Sequence, residues 1–166
     1  MRILAVSGSI QSGSANLALL ETAIKVAPSD VEIVICDGLR QLPHFNPDLE
    51  ASGPPAAVVE WRKALAECDA VLIASPEYGF SLPGVLKNGI DWAIGSGELE
   101  RKVIAITASV NHSDRGHRGL QALRETLTAV SAKIVGGKPT VRGSSFNADV
   151  AALVQATVTA AMGQDG

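Results

Sequence analysis

The sequence predicts a three-layer α/β sandwich, a five-stranded parallel sheet between two layers of helix, and three observations predict it. Short apolar runs recur without polar alternation, which suits strands covered on both faces. Between these runs, apolar residues step at helical spacing. Glycine, proline and small polar residues mark the changeovers.

The elements follow in order. Ile3-Leu4-Ala5-Val6 is a buried strand closed by Ser7-Gly8-Ser9. A helix starts near Ser14, with Leu17, Leu20, Ile24 and Ala27 expected on its buried face, and Pro28 ends it. Val31–Ile35 is the second strand, followed by a loop through Leu42-Pro43-His44-Phe45-Asn46-Pro47. Val58, Trp61, Leu65 and Cys68 step along the next helix, and Ala70–Ala74 is the third strand. A proline-bounded loop, Ser75–Leu82, leads to a helix from Pro83 to about Trp92, where proline suits the first turn. Val103–Thr107 is strand four, Leu120, Leu123, Leu127 and Val130 mark a helix, and Lys133-Ile134-Val135 is a short fifth strand. Val150, Val154 and Val158 belong to a closing helix. Right-handed crossovers leave few topologies, and a flavodoxin-like sheet of order 2-1-3-4-5 in one domain, 1–166, fits best.

Composition narrows the function classes. With 46% hydrophobic and 19% charged residues the chain is globular, and its 166 residues suffice to bury a core without disulfides or metal. A net charge of -3 and a pI near 5.6 argue against a nucleic-acid surface. No apolar run approaches the ~20 residues of a membrane span. The apolar start, Ile3–Val6, is too short for a signal peptide. Cys36 and Cys68 stand in no metal or CxxC spacing and read as reduced thiols of a cytoplasmic protein. Aromatics are only 4%, so an aliphatic core is expected, yet Tyr78, Phe80 and Trp92 crowd into one stretch.

Ligands in such sheets bind beyond the carboxyl ends of the strands, at the switch point between strands one and three. The loop after strand one, Gly8-Ser9-Ile10-Gln11-Ser12-Gly13-Ser14-Ala15-Asn16, pairs small residues with a following helix N-terminus. Free N–H groups and neutral side-chain donors there suit a phosphate. A plain βα turn with a Ser or Asn cap is the simpler reading, but Ser9, Ser12, Ser14 and Asn16 exceed what a cap needs. The loop ends in no GK[ST] and contains no GxGxxG, so it is neither a Walker loop nor a dinucleotide fingerprint.

The loop after strand three, Ser75 through Trp92, is stiffened by Pro76 and Pro83 and carries Tyr78 and Phe80. A flat ring needs such a rim. Ordinary loop packing is the alternative for both aromatics, a helix or subunit contact for Trp92, and a solvated carboxylate for Glu77. After strand four come Asn111, His112, Arg115, His117 and Arg118. Arg115 and Arg118 are candidates for dinucleotide phosphates, or else belong to a solvated helix start. The histidines lack a third metal ligand at zinc spacing, so no metal is expected.

At these residues the chain resembles the NADPH-dependent FMN reductase family. Gly8 through Asn16 is similar to its GSxRxxSxN pattern, and Pro76 through Trp92 is similar to its PEYNxSxPGxLKNxIDW segment. Asn46-Pro47-Asp48-Leu49-Glu50 also looks like the family's second βα loop. The resemblance implies an FMN held by Ser9, Gln11, Ser14, Ala15 and Asn16, with its ring against Pro76, Glu77, Tyr78 and Gly79 and its other edge near Ser109. It implies hydride transfer from NADPH or NADH to the flavin and on to a small-molecule electron acceptor such as free flavin or a quinone. It also implies a homodimer or homotetramer, and no catalytic side chain, since the flavin carries the chemistry.

Two positions depart from the pattern: the family's phosphate-loop arginine is Gln11, and its loop asparagine is Gly79. Weakened FMN binding is the expectation. The rival reading is a flavodoxin-like electron carrier or a scaffold without flavin, although -3 is a mild charge for a carrier's acidic rim. A phosphatase would need a Cys in the loop after strand one, and a serine hydrolase a GxSxG elbow; neither is present.

Overall fold

The computed structural model describes residues 1–163; residues 164–166 of the expected single domain lie outside the described residues. Five strands, β1 (Arg2–Ser7), β2 (Glu32–Cys36), β3 (Ala70–Ala74), β4 (Val103–Thr107) and β6 (Lys133–Gly136), pair in the order β2-β1-β3-β4-β6, all parallel. This is the expected 2-1-3-4-5 order with β6 as the fifth strand of the sheet. What the apolar runs did not signal is a second sheet. Beyond β4 the chain forms β5 (Ser109–Val110), which pairs with β7 (Thr140–Val141) and carries the β4 edge outward.

The apolar strands are buried on both faces because helices cover both. Helices α1 (Ala15–Val26) and α6 (Phe146–Met162) pack on one side; α3 (Ala56–Ala66), α4 (Gly84–Ile94) and α5 (His117–Ala129) pack on the other. Val58, Trp61, Leu65, Leu120, Leu123, Leu127, Val150, Val154 and Val158 are buried as their spacing requires.

Two expectations are corrected. The buried stripe of α1 is Asn16, Leu19, Leu20 and Ala23, while Ile24 is 43% exposed. Leu19, Leu20 and Ala23 lie inward, and Asn16 joins them on that face to make a bond described below. The core is also not purely aliphatic: Trp92 is fully buried and Trp61 nearly so. Trp92 therefore packs within the chain, and a role in subunit contact is not needed to explain it.

One indole ties α3 to α4, and the other ties down the segment after β2. Trp61 Nε1 donates to Gly89 O at 2.8 Å, and Trp92 Nε1 donates to Pro43 O at 2.8 Å. Asn88 completes the clamp: its Nδ2 donates to Pro43 O, and its Oδ1 accepts from Phe45 N at 2.8 Å. Phe45 then stands edge-on to Trp92, ring centres 5.0 Å apart. Gly89 has no side chain because a Cβ there would come within 2.5 Å of Leu39 Cδ2. The short helix α2 (Pro47–Ala51), capped by Asn46, is joined through Glu50 to Arg62, which also donates to Trp92 O. Much of the Leu86–Trp92 motif is thus a clamp on residues 43–45.

Asn88→Ala removes both side-chain bonds to that segment. Urea unfolding should show a loss of about 1–3 kcal/mol, with the Trp92 fluorescence shifted to the red as water reaches the indole.

Candidate functional site

Strands β1 and β3 are neighbours, but their following helices lie on opposite faces, so a crevice opens beyond their carboxyl ends. The two loops meet at Gly8. Gly8 N donates to Ala74 O at 2.9 Å, and a Cβ at Gly8 would stand 2.9 Å from Ser75 Oγ and 3.1 Å from Ser75 Cα. Ser75 N in turn donates to Thr107 O, linking the loop after β3 to the end of β4.

The loop from Gly8 to Ser14 is organised so that acceptors are satisfied internally. Ser9 Oγ accepts from Gln11 N at 3.2 Å, Ser14 Oγ accepts from Asn16 N at 3.2 Å, and Asn16 Oδ1 accepts from Ser109 N at 2.9 Å. The hydroxyl hydrogens of Ser9 and Ser14 and the Asn16 amide group are then the groups left to donate. All three residues are buried, and Ser14 is the N-cap of α1. Ala15 opens that helix, and Gln11 is exposed on the outer turn. Such a surface of donors at a helix N-terminus suits an anion.

Residues 76–81 form a small hairpin. Tyr78 and Ser81 exchange backbone hydrogen bonds of 3.0 Å, with Gly79 and Phe80 as the central pair at φ 56° and 64°. Such two-residue turns require positive φ at both positions, which Asn and Gly adopt most readily. The Asn-to-Gly departure at 79 therefore keeps the backbone conformation. Phe80 adopts it at a cost of roughly 1–2 kcal/mol, offset in part by Arg118, whose guanidinium lies 4.2 Å from the ring centre.

Glu77 is not a solvated carboxylate. Its Oε2 accepts from Gly119 N at 2.9 Å, in the first turn of α5, where the helix dipole favours an anion. Gly119 itself was missed by sequence reasoning. A Cβ there would stand 2.9 Å from Glu77 Cβ and 3.0 Å from its Cα, so only glycine lets the hairpin rest on α5. The available signal was a glycine early in a helical pattern, where it costs about 1 kcal/mol relative to alanine.

Ser109 lies beside Asn16 at the start of β5, and its Oγ is buried with no hydrogen-bond partner. A hydroxyl in that state has room for a polar partner, an ordered water or a ligand. The structure thus brings together Ser9, Ser14, Ala15, Asn16 and Ser109, with Pro76–Gly79 joined to them through Gly8 and Ser75. Arg115 stands on the exposed turn before α5, next to Asp114 at 4.0 Å, and Arg118 is on Phe80. Among the described residues no cluster of His, Cys, Asp and Glu is arranged to hold a metal ion. Burial pushes the thiols of Cys36 and Cys68 above their ordinary pKa, so both are protonated at neutral pH. No helix among the described residues is long and apolar enough to cross a membrane.

Comparison with known proteins agrees with this geometry. FerB of Paracoccus denitrificans, a flavoenzyme NAD(P)H:(acceptor) oxidoreductase, shares the fold with a TM-score of 0.86 at 24% identity, over 98% of this chain and 97% of its own. A quinone reductase of Escherichia coli K12 is 30% identical over 146 residues, 86% of this chain and 77% of the relative. An NAD(P)H-dependent FMN reductase of Pseudomonas aeruginosa is 44% identical over 93 residues, but that match spans 56% of this chain and only 50% of the relative's length. The model of the NADPH-dependent FMN reductase family matches residues 1–145, a stretch that contains every loop of the crevice, and the chain belongs to that family.

Proposed function

We propose that the protein is an FMN-dependent NAD(P)H oxidoreductase that reduces a small-molecule acceptor of the flavin or quinone class. The observation that carries the reading is the set of donors at the β1 loop, with their acceptors satisfied internally, beside the unpartnered Ser109 Oγ. Buried donors so arranged fit a phosphate ester and its polyol chain. In this assignment Ser9, Ser14 and Asn16 hold the phosphate, with backbone of Ala15 and Gln11 at its edge, and Ser109 bonds the flavin's flank. Pro76, Glu77, Tyr78 and Gly79 form the rim for the ring.

Bound FMN supplies the redox chemistry, accepting a hydride from NADPH or NADH and passing two electrons to the acceptor. The chain's part is positional. Glu77 pins the rim to α5, Gly8 lets the phosphate loop approach the rim, and Arg115 and Arg118 are the candidate partners for dinucleotide phosphates. The same reading takes the protein as one domain and as a cytoplasmic homodimer or homotetramer. The exposed apolar side chains Phe45, Leu49, Val59 and Ile94 support the assembly.

Anaerobic NADPH should bleach the 450-nm region absorption of protein-bound FMN, roughly the band expected of oxidised flavin; no flavin binding at accessible concentrations would overturn the proposal. Gln11→Arg restores one charge-assisted hydrogen bond, worth about 1.5–3 kcal/mol, and should tighten FMN about ten- to a hundredfold by equilibrium dialysis. Nanomolar FMN affinity in the wild type would contradict the role assigned to Gln11. Gly8→Ala drives the two loops apart, and should weaken FMN at least about tenfold while costing about 1–3 kcal/mol of stability.

A further inference from the structure

We infer that Phe80 is a specificity residue: its ring, carried beside the proposed flavin rim in a strained backbone conformation, stacks on planar aromatic acceptors and favours them over acceptors without a ring. The inference rests on the oxidoreductase reading and deepens it, naming which acceptors this chain selects and the side chain that selects them.

Phe80 stands where folding alone would not put it. Its φ is 64°, a region that a bulky side chain enters only under constraint. At 66% it is more exposed than any other large apolar side chain among the described residues. It thus bears strain and leaves an apolar ring in water, and it belongs to neither core cluster. The turn does not require a phenylalanine, because glycine or asparagine adopts that backbone readily, and the family's PEYNxSxPG pattern leaves position 80 open. Outliers of this kind persist where their surroundings hold them, and they gather at binding sites.

The ring is fixed in place. Its hairpin is closed by the 3.0 Å bonds between Tyr78 and Ser81, and Glu77 ties the base to Gly119 N at 2.9 Å. On one face of the ring lies the Arg118 guanidinium, 4.2 Å from the centroid. The cation holds that face, and the high exposure leaves the other free. The ring borders a cleft of about 550 Å³ whose other lining residues are polar or glycine, so Phe80 is the apolar surface that a flat ligand meets there. A fixed aromatic face favours offset stacking by a second ring. Because it is already placed, binding orders little else. An acceptor without a ring gains nothing from it.

Calorimetric titration of the oxidised, FMN-saturated protein with 2-naphthol, a two-ring compound that accepts no hydride, reads stacking without turnover. Phe80→Gly should weaken naphthol about two- to tenfold, as the loss of one stacked pair implies, while Phe80→Trp should keep the wild-type affinity. The Tm of Phe80→Gly should be no lower than that of wild type, because glycine suits this φ. In steady-state assays Phe80→Gly should raise KM for menadione and leave kcat/KM for ferricyanide, which has no ring, unchanged. Phe80→Asn, which also adopts positive φ, gives the same reading if the glycine variant fails to fold. Several results would overturn the inference: no naphthol binding by wild type, unchanged affinity in both Phe80→Gly and Phe80→Asn, or equal losses toward menadione and ferricyanide. A change confined to the sedimentation coefficient would overturn it too, making Phe80 a subunit contact. Failure to oxidise NADPH with any acceptor would instead sink the oxidoreductase reading, while the naphthol titration still decides the role of Phe80.

Discussion

The hydrogen bond from Ser109 N to Asn16 Oδ1 joins the first turn of α1 to the start of β5, across 93 positions of sequence. Its net worth is modest, about 0.5–1.5 kcal/mol, but an unmade partner in a buried site costs more. That asymmetry keeps Asn16 facing inward, in agreement with the apolar burial on the same face of α1. The helix buries Leu19, Leu20 and Ala23 behind Asn16 and leaves Ile24 outside. The same bond leaves the Asn16 amide hydrogens free to donate and brings Ser109 beside them. Gly8 against Ser75 and Glu77 on Gly119 N complete the linkage, so the loops after β1, β3 and β4 are fixed by three local contacts that depend on one another.

The two departures from the family pattern differ in physical kind. At position 79 the backbone decides, because the turn needs positive φ, and glycine meets that need as asparagine does. Nothing in the hairpin's shape is lost. At position 11 the backbone is indifferent, and what changes is a charge on an exposed side chain near the phosphate loop. The first departure is silent in geometry; the second, in the proposed reading, acts on affinity. A motif mismatch therefore has no fixed meaning until the conformation at that residue is known.

The layer architecture and strand order were legible because buried parallel strands leave continuous apolar runs, and Ile3–Val6, Ala70–Ala74 and Val103–Thr107 are such runs. The donor-rich loop after β1 was legible through its serines and Asn16. Less legible were features whose cause lies far along the chain. No local pattern could say that Glu77 caps a helix 42 positions away, or that Trp92 and Asn88 both donate to Pro43 O. The α1 face was misread because two apolar stripes compete there: Leu19, Leu20 and Ala23 are buried with Asn16, while Ile24 of the expected stripe lies outside. The β5–β7 pair escaped because two-residue strands carry no period.

The proposed reading gives the molecule two anion sites built on opposite principles. The FMN loop offers neutral hydroxyls, an amide and a helix terminus, with no lysine or arginine between Gly8 and Asn16. The turn before α5 and its first residues offer the exposed guanidinium groups of Arg115 and Arg118. Neutral, buried donors hold a phosphate by geometry and respond little to ionic strength, whereas charges at a surface cleft are screened over about 8 Å at physiological salt. Such a division suits the two roles. A cofactor is retained through many turnovers, and its site gains from contacts that are directional and protected from solvent. A co-substrate must arrive and leave in each cycle, and an exposed charged cleft attracts it from a distance while holding it loosely enough to release.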